Sequence, residues 1–294
     1  MDSIRPVAAS PRLLQSSLEQ ADYFADLGLS TAIHLAIALG KPLLLEGEPG
    51  VGKTEAARAL ARATGRALIR LQCYEGLDAA QALYEWNYPK QLLKTRLGDA
   101  AGKGLADIYT PEYLLERPLL QALRQADAAV ILIDEIDRAD SEFEAFLMEF
   151  LGEFQITIPE LGTIKAATAP IAVLTSNRTR ELHDALKRRC AYHWIDLPDA
   201  TQERRIIEAK APGLSAAAAA ALVDAVGRVR RLSLSRRPGV AESVEWALSA
   251  MALERSGEEW PTALLRSLGL LVKDKADLER VRGALPAILS GDAP

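Results

Sequence analysis

Short apolar runs alternate with segments of helical spacing along the first two thirds of the chain. Each run is a few residues long and is bounded by polar, glycine or proline residues, which is typical of buried strands in a parallel sheet. Apolar residues recur at helical spacing between the runs, most clearly at 54–64 and 141–151. The alternation predicts an α/β fold in which helices flank a parallel sheet on both faces. The predicted strands are residues 43–45, 68–71, 130–133, 171–174 and 191–195.

The pattern changes after residue 198, where strand signals give way to helical spacing. We therefore predict an N-terminal extension over residues 1–20, an α/β domain over 21–198 and a small all-helical lid domain over 199–294. Residues 154–158 and 162–166 are expected to pair as a hairpin. The predicted lid helices are 201–210, 215–231, 241–255, 261–271 and 277–285, and Pro286 is expected to end or kink the last one.

Composition limits the class of protein. The 294 residues are 49% hydrophobic and 26% charged, which is enough apolar content for a large core and excludes a disordered chain. The formal net charge of −5 argues against broad binding to nucleic-acid phosphates. The N-terminus lacks the apolar stretch of a signal peptide, and no uncharged apolar run approaches the roughly 20 residues of a membrane helix. We expect a protein without a membrane span.

The cysteines indicate neither a disulfide framework nor a metal centre. Cys73 and Cys190 are far apart in the sequence, which suits a reducing compartment and leads us to expect a cytoplasmic protein. Cys190 and His193 are close together, but no second closely spaced pair completes a tetrahedral metal set. Structural roles are therefore expected for these side chains.

A phosphate-binding motif follows the first predicted strand. The glycines of the motif allow the backbone N–H groups to converge on one anion, and the helix N-terminus adds its positive dipole end. Lys53 would reach the β- and γ-phosphates, and the Thr54 hydroxyl would ligate Mg²⁺. The alternative, a glycine-rich turn with a surface lysine, is disfavoured by the strand before the motif and the helix after it. The motif G-x-x-x-x-G-K-T is formed by Gly47, Glu48, Pro49, Gly50, Val51, Gly52, Lys53 and Thr54.

Two acids end the predicted strand at 130–133. Strands of this kind deliver polar side chains to the carboxyl edge of a parallel sheet, where ligands bind. Asp134 would hold Mg²⁺ directly or through water, and Glu135 would orient and polarise an attacking water. The second acid favours hydrolysis over simple nucleotide binding. The alternative is a strand that ends in solvated acids.

Two further groups allow more than one interpretation. Asn177 follows the predicted strand at 171–174, where its amide would bond the γ-phosphate or the attacking water, or simply form a turn. Lys187, Arg188 and Arg189 form either a solvated basic face or a source of a guanidinium that acts in trans on a neighbouring subunit's phosphate.

Together these segments resemble the AAA+ ATPases and, within them, the CoxD-type members of the MoxR family. The resemblance implies ATP and Mg²⁺ as cofactors, with Gly47 to Thr54 as the Walker A loop and Asp134 and Glu135 as Walker B. Glu55, directly after the loop, is expected to contribute to nucleotide binding. It further implies that Asn177 is sensor 1 and that Arg189 is the arginine finger, with Arg188 as its rival. The segments that carry it are residues 42–55, 134–139, 174–177, 186–196 and 240–247.

The resemblance also implies roles for segments that carry no catalytic or binding motif. The hairpin at 154–166 would be the presensor-1 insertion, residues 84–88 would lie in or beside the helix-2 insertion, and the backbone at 23–26 would approach adenine. The chain departs from the family at Asp137, where asparagine is common. Neither Arg236 nor Arg237 falls clearly in the register of the sensor 2 arginine.

The function implied by the resemblance is that of an ATP-driven remodelling machine. It would be a chaperone in the maturation of a metalloenzyme such as a molybdenum hydroxylase of the carbon monoxide dehydrogenase type. It would work as a ring of identical subunits, with six as the expected number, and with a von Willebrand factor A partner. The alternatives are an AAA+ nucleic-acid motor or restriction-type GTPase, a small-molecule kinase, and a nucleotide-dependent scaffold that does not hydrolyse ATP.

Overall fold

The computed structural model describes residues 7–99 and 108–290, without the side chains of 97–99. Its helices are α1 (Pro11–Gln20), α2 (Leu27–Leu39), α3 (Lys53–Thr64), α4 (Ala79–Leu83), α5 (Tyr88–Asp99), α6 (Pro118–Arg124), α7 (Ser141–Glu153), α8 (Asp184–Arg189), α9 (Ala200–Lys210), α10 (Ala216–Arg231), α11 (Val240–Arg255), α12 (Trp260–Arg266), α13 (Leu268–Leu271) and α14 (Lys275–Ser290). Its strands are β1 (Leu43–Gly47), β2 (Ala67–Gln72), β3 (Tyr84–Trp86), β4 (Leu114–Glu116), β5 (Ala129–Asp134), β6 (Gln155–Ile158), β7 (Gly162–Lys165), β8 (Ile171–Ser176) and β9 (Ala191–Ile195).

The main sheet has five strands in the order β2-β5-β8-β1-β9. The neighbouring pairs β2/β5, β5/β8 and β8/β1 are parallel. All five predicted strands lie in this sheet, and helices connect them. The predicted fold class, a parallel sheet flanked by helices and followed by a helical region, is therefore confirmed.

Strand register brings the polar ends of the strands to one edge of the sheet. Gln72 is opposite Asp134 on β2 and β5, and Glu46 is opposite Ser176 on β1 and β8. Both β5 and β8 are buried along their whole length, as apolar strands covered on both faces should be. The sheet thus presents acids and hydroxyls side by side where its strands end.

Two small antiparallel pairs accompany the main sheet. The predicted hairpin is present as β6 and β7, with Gln155 opposite Lys165. The strand β3 pairs with β4 and places Trp86 among aromatic neighbours. Trp86 is buried while Tyr88 is 62% exposed, so only Tyr88 of these two aromatics is open to a partner.

The chain divides into two compact units. The first comprises residues 1–17, 25–46 and 54–194, and the second comprises 18–24, 47–53 and 195–294. The loop that carries most of the phosphate-binding motif therefore groups with the C-terminal helices. The predicted domain boundaries at residues 20 and 198 stay predictions.

The second unit has an apolar core with one buried ion pair. Trp246 is fully buried and its Nε1 donates to the Leu264 carbonyl at 3.0 Å. The guanidinium of Arg230 on α10 donates from Nη1 and Nη2 to the carboxylate of Glu203 on α9, at 2.6 and 2.8 Å. Its Nε donates to the Pro238 carbonyl at 2.8 Å. Because Glu203 is 1% exposed, the charge of the acid depends on this partner.

Two of the predicted helices differ in the structure. The segment predicted as one helix at 261–271 is divided at Ser267, whose hydroxyl bonds the Ala263 carbonyl at 2.7 Å. Pro286 was expected to end or kink the last helix, and it does not end it, because α14 continues through it to Ser290. The buried residues Leu285 and Ile288 on either side of the exposed proline hold the helix on the core.

Loss of the buried pair partner should destabilise the second unit. We expect Arg230→Met to lower the free energy of unfolding by about 3–5 kcal/mol, because it leaves Glu203 buried and unpaired. Urea denaturation measures the change. Arg231→Met, which removes an exposed arginine from the same helix, is the control and should stay within about 0.5 kcal/mol of the parent. Equal effects of the two substitutions would contradict the structural role of the pair.

Candidate nucleotide-binding site

The phosphate-binding motif forms a loop between β1 and α3. Gly50 and Gly52 have φ angles of 81° and 99°, a backbone region that glycine adopts readily and that other residues rarely do. Lys53 is 6% exposed, and its Nζ donates to the carbonyls of Gly47 at 2.8 Å and Glu48 at 2.7 Å. The ammonium thus lies against the loop itself, where its charge reaches any anion that the loop binds.

The shape of this loop is held by the first turn of α11. The backbone N–H groups of Val240 and Ala241 both donate to the Gly50 carbonyl, at 3.1 and 3.2 Å. The Glu242 carboxylate accepts from Gly239 N at 3.1 Å and caps the same turn. These residues were missed as partners of the loop, because the contact is made by backbone atoms and leaves no signal in side-chain identity.

Asp134 stands at the centre of the acidic part of the site. Its Oδ1 accepts from the hydroxyls of Thr54 at 2.9 Å and Thr175 at 2.6 Å. Its Oδ2 accepts from Arg70 Nε at 3.0 Å and Nη2 at 2.6 Å. Since the carboxylate is 2% exposed, these donors replace water as the source of its stabilisation. The predicted metal residues Thr54 and Asp134 are therefore in direct contact.

Glu135 has an unusual backbone conformation. Its φ of 55° and ψ of 49° lie in the left-handed region, which is uncommon outside glycine. Its N–H donates to Thr175 Oγ1 at 2.9 Å, and its Oε2 accepts from Gln72 Nε2 and Arg138 Nη1, each at 3.1 Å. The side chain is about one-third exposed. The carboxylate is thus oriented by two donors and remains accessible to water.

Arg70 and Gln72 connect the two acids. They are two residues apart on β2 and therefore share one face of the strand. Arg70 bonds Asp134, Gln72 bonds Glu135, and Arg70 Nη2 also bonds Gln72 Oε1. Sequence reasoning missed both residues. The available signal was their place at the end of the predicted strand 68–71, beside the strand that carries the acids.

The loops after β5 and β8 are joined through Asp137. Its Oδ2 accepts from Thr179 N at 2.9 Å and Thr179 Oγ1 at 2.7 Å, and the side chain is 3% exposed. At the position where the resemblance led us to expect asparagine, the chain thus has a buried acid whose Oδ2 accepts two hydrogen bonds and whose Oδ1 has no partner among the described residues. Asn177 lies in the loop after β8 and is half-buried, and among the described residues no acceptor or donor is bound to its amide. Its predicted role stays a prediction.

The neighbouring arginines differ in their surroundings. Arg189 is exposed, but its Nη1 donates to the Met148 carbonyl on α7. Arg188 is exposed, and its guanidinium has no hydrogen-bond partner within the described part of the chain. Glu55, predicted to extend the nucleotide segment, pairs with Arg62 at 2.7 Å on the surface of α3. The remaining motif residues, Pro49 exposed and Val51 buried, lie in the loop.

The donor set fits a magnesium ion. Mg²⁺ takes oxygen ligands at about 2.0–2.1 Å in octahedral geometry, so adjacent ligand oxygens are about 2.9 Å apart. The hydroxyl oxygen of Thr54 and Oδ1 of Asp134 are separated by 2.9 Å. No cluster of three or more His, Cys, Asp or Glu side chains suited to a metal occurs in residues 7–99 and 108–290. A metal here would be bound together with phosphate oxygens.

Both cysteine thiols have raised pKa values. Burial, with the nearby carboxylates of Asp134, Asp137 and Glu135, raises the pKa of the Cys73 thiol to about 12. Burial likewise raises the pKa of Cys190 to about 12, against a small opposing effect of Lys41. Both are free cysteines and stay protonated at neutral pH, so neither is poised as a nucleophile.

Residues 42–190, about half of the chain, match the AAA domain family of the dynein-related subfamily. The chain belongs to this AAA family. It is 24% identical to the protein NorQ of Paracoccus denitrificans over 280 residues, which cover 92% of this chain and 95% of NorQ. The predicted AAA+ domain is confirmed by the family match, and the similarity to NorQ over most of both chains is compatible with the MoxR type and the CoxD-like subtype, which stay predictions.

Other similarities cover less or show the fold alone. Lon protease 1 of Myxococcus xanthus is 34% identical over 118 residues, which are 38% of this chain and 12% of the protease. The chain therefore spans only a small part of that relative. A solved structure of a RuvB variant from Thermotoga maritima is 18% identical to this chain. The match covers 98% of this chain and 80% of the RuvB chain, with a TM-score of 0.50. This similarity supports the fold.

Within the described ranges, no helix has both the length and the apolar character that crossing a membrane demands.

The Thr175 hydroxyl should contribute more to the free energy of unfolding than an exposed threonine hydroxyl does. Thr175→Val leaves the N–H of Glu135 without its acceptor and removes one donor to the buried Asp134. We expect a loss of about 1–3 kcal/mol in the free energy of unfolding, measured by urea denaturation. The matched control is Thr157→Val, which removes an exposed hydroxyl from β6. A loss no larger than that of the control would contradict the proposed geometry.

Proposed function

We propose that this chain hydrolyses ATP and uses the cycle to remodel a client protein. One observation carries the proposal most directly. Thr54 of the phosphate-binding motif contacts Asp134, and Glu135 follows Asp134 with its carboxylate held by two donors and accessible to water. Membership of the AAA family supports nucleotide binding by the same residues.

The loop and the helix that follows it would hold the triphosphate. Backbone N–H groups of Gly50 to Thr54 and the ammonium of Lys53 supply positive charge to the β- and γ-phosphates. Thr54 and Asp134 are the residues that would hold Mg²⁺, which when bound neutralises charge on the phosphate oxygens. Asn177 would bond the γ-phosphate or the attacking water.

Glu135 would act on the attacking water. Its Oε2 is engaged by Gln72 and Arg138, and within the described residues its Oε1 has no donor. We infer that Oε1 accepts a proton of the water as the water oxygen bonds to the γ-phosphorus. The bond from phosphorus to the bridging oxygen breaks, which gives ADP and phosphate.

An arginine from a second copy would complete the site. An arginine finger must extend across a subunit boundary, so its guanidinium needs freedom to move. Arg189 is tied to Met148 of its own subunit, whereas Arg188 has no such bond. This supports Arg188 over Arg189. We also propose assembly into a ring of identical subunits, six in number, as the resemblance implies.

The client and partner follow from the CoxD-like subtype. We propose that the client is a metalloenzyme, such as a molybdenum hydroxylase of the carbon monoxide dehydrogenase type, that is matured in the cytoplasm. A von Willebrand factor A protein would couple the ring to it. The exposed Tyr88 and the β6–β7 hairpin are the segments proposed to contact these proteins.

Two substitutions separate binding from hydrolysis. Lys53→Ala should weaken ATP binding at least tenfold, because it removes the charge on the phosphates. Glu135→Gln should bind ATP as the parent does but lose at least a hundredfold in turnover, because its role is confined to the transition state. A fluorescent ATP analogue measures binding and phosphate release measures turnover. Unchanged turnover in Glu135→Gln would support a non-hydrolysing scaffold, and equal rates with GTP or stimulation by DNA would favour the motor or GTPase alternatives.

Mixed rings test the arginine. Arg188→Ala and Glu135→Gln subunits are each inactive alone, but a mixture should recover part of the turnover, because some interfaces pair an intact Glu135 with an intact Arg188. Arg189→Ala is the comparison. It should hydrolyse ATP without any partner variant, so mixing it with Glu135→Gln should not raise its turnover. Recovery restricted to the Arg189 mixture would reverse the assignment of the two arginines.

A further inference from the structure

A cavity lies at the edge of the main sheet opposite to the two acids. Its volume is about 280 Å³, and it opens between the amino ends of β1 and β8 and the helix α2. Leu43 and Ile171, the first residues of these strands, line it, whereas Asp134 is the last residue of β5. All of its lining residues belong to the first compact unit. It is therefore separate from the candidate nucleotide site.

The cavity wall is largely apolar. Residues of α2 and of the starts of the two strands form part of it, and the segment around Ala8 and Ala9 lines one side. His34 Nδ1 and the Ala8 carbonyl are 2.8 Å apart, which fixes this segment on α2. Apolar pockets with a few polar groups are the usual form of small-molecule sites, and this volume lies just below their usual range of about 300–1,000 Å³. The apolar residues include Ile33, Ala36, Ile37, Leu60, Pro170 and Val173.

A buried arginine with one unsatisfied donor lines the same cavity. Arg66 is 9% exposed, and its Nη1 donates to the carbonyls of Ala126 at 2.9 Å and Ala129 at 3.3 Å. Its Nε is buried and has no acceptor among the described residues. Burial lowers the pKa of Arg66, and Asp127 only partly opposes this. A buried guanidinium with one edge unsatisfied is costly, so an anion beside it would be stabilising.

The remaining polar groups set the charge of the cavity. Lys41 is exposed and lines it, and Asp127 lines it while accepting a hydrogen bond from the Thr168 hydroxyl. Two cations face one anion whose oxygen is already engaged. With two cationic side chains against one acidic side chain, the formal charge of the lining is positive by one.

We propose that this cavity binds a small organic monocarboxylate with an apolar chain. The carboxylate would pair with the unsatisfied edge of Arg66 and with Lys41, and the chain would lie against α2. One carboxylate matches the net charge, and the apolar wall excludes a purely ionic ligand such as phosphate. The volume limits the ligand to a few carbon atoms rather than a long acyl chain.

Hexanoate is a suitable probe, and the full chain is the protein to use. Hexanoate should bind at least tenfold more tightly than acetate, which lacks the chain, and than hexanol, which lacks the charge. Calorimetry measures the dissociation constants. Arg66→Met should weaken hexanoate binding at least tenfold. Equal binding of hexanoate, acetate and hexanol would overturn the proposal.

Because Arg66 also bonds two carbonyls, variants with little structural effect are needed. Lys41→Gln should weaken hexanoate several-fold, and Ala36→Leu should abolish binding by filling the cavity. Both should retain ATP turnover, and Lys165→Gln, at an exposed lysine on β7, should change neither. Unchanged hexanoate affinity in Lys41→Gln and Ala36→Leu would refute the site.

Discussion

The buried carboxylate of Asp134 is the constraint on which the candidate site depends. A charge that is 2% exposed needs donors from its surroundings, and here they come from three separate elements: Thr54 at the start of α3, Thr175 on β8 and Arg70 on β2. Those elements meet only because the strand order places β5 between β2 and β8. Fold and site are therefore coupled, because the sheet order that buries the apolar runs also supplies the donors for the acid at its edge.

The same hydroxyl that serves Asp134 also sets the conformation of Glu135. A left-handed backbone at a glutamate costs on the order of 1 kcal/mol and persists only where the surroundings hold it. Thr175 Oγ1 accepts from the N–H of Glu135, while Gln72 and Arg138 hold its carboxylate. The two adjacent acids consequently face different partners. Asp134 is buried among donors, and Glu135 projects toward solvent, which suits one for holding a cation and the other for handling water.

Much of this arrangement could be predicted because it depends on the types of side chain and their spacing along the chain. The five sheet strands, the helix after Lys53 and the acid pair all follow from short apolar runs and the motifs that end them. The role of Arg70 was not predicted. A charged residue in a short strand is usually expected to face solvent, and the sequence does not show that β5 with Asp134 lies beside β2. The contacts of Val240 with the phosphate loop are made by backbone and leave no trace in composition. The last helix continues past Pro286 because burial of the residues beside it outweighs the local helix-breaking tendency of proline.

A crystal structure with Mg²⁺ and a non-hydrolysable ATP analogue tests the central claim most directly. The account predicts the γ-phosphate within the turn from β1 into α3, the metal beside the Thr54 hydroxyl on the side of Asp134, and a water between the γ-phosphorus and Glu135. Nucleotide bound away from this turn, or a metal held without either Thr54 or Asp134 nearby, would contradict it.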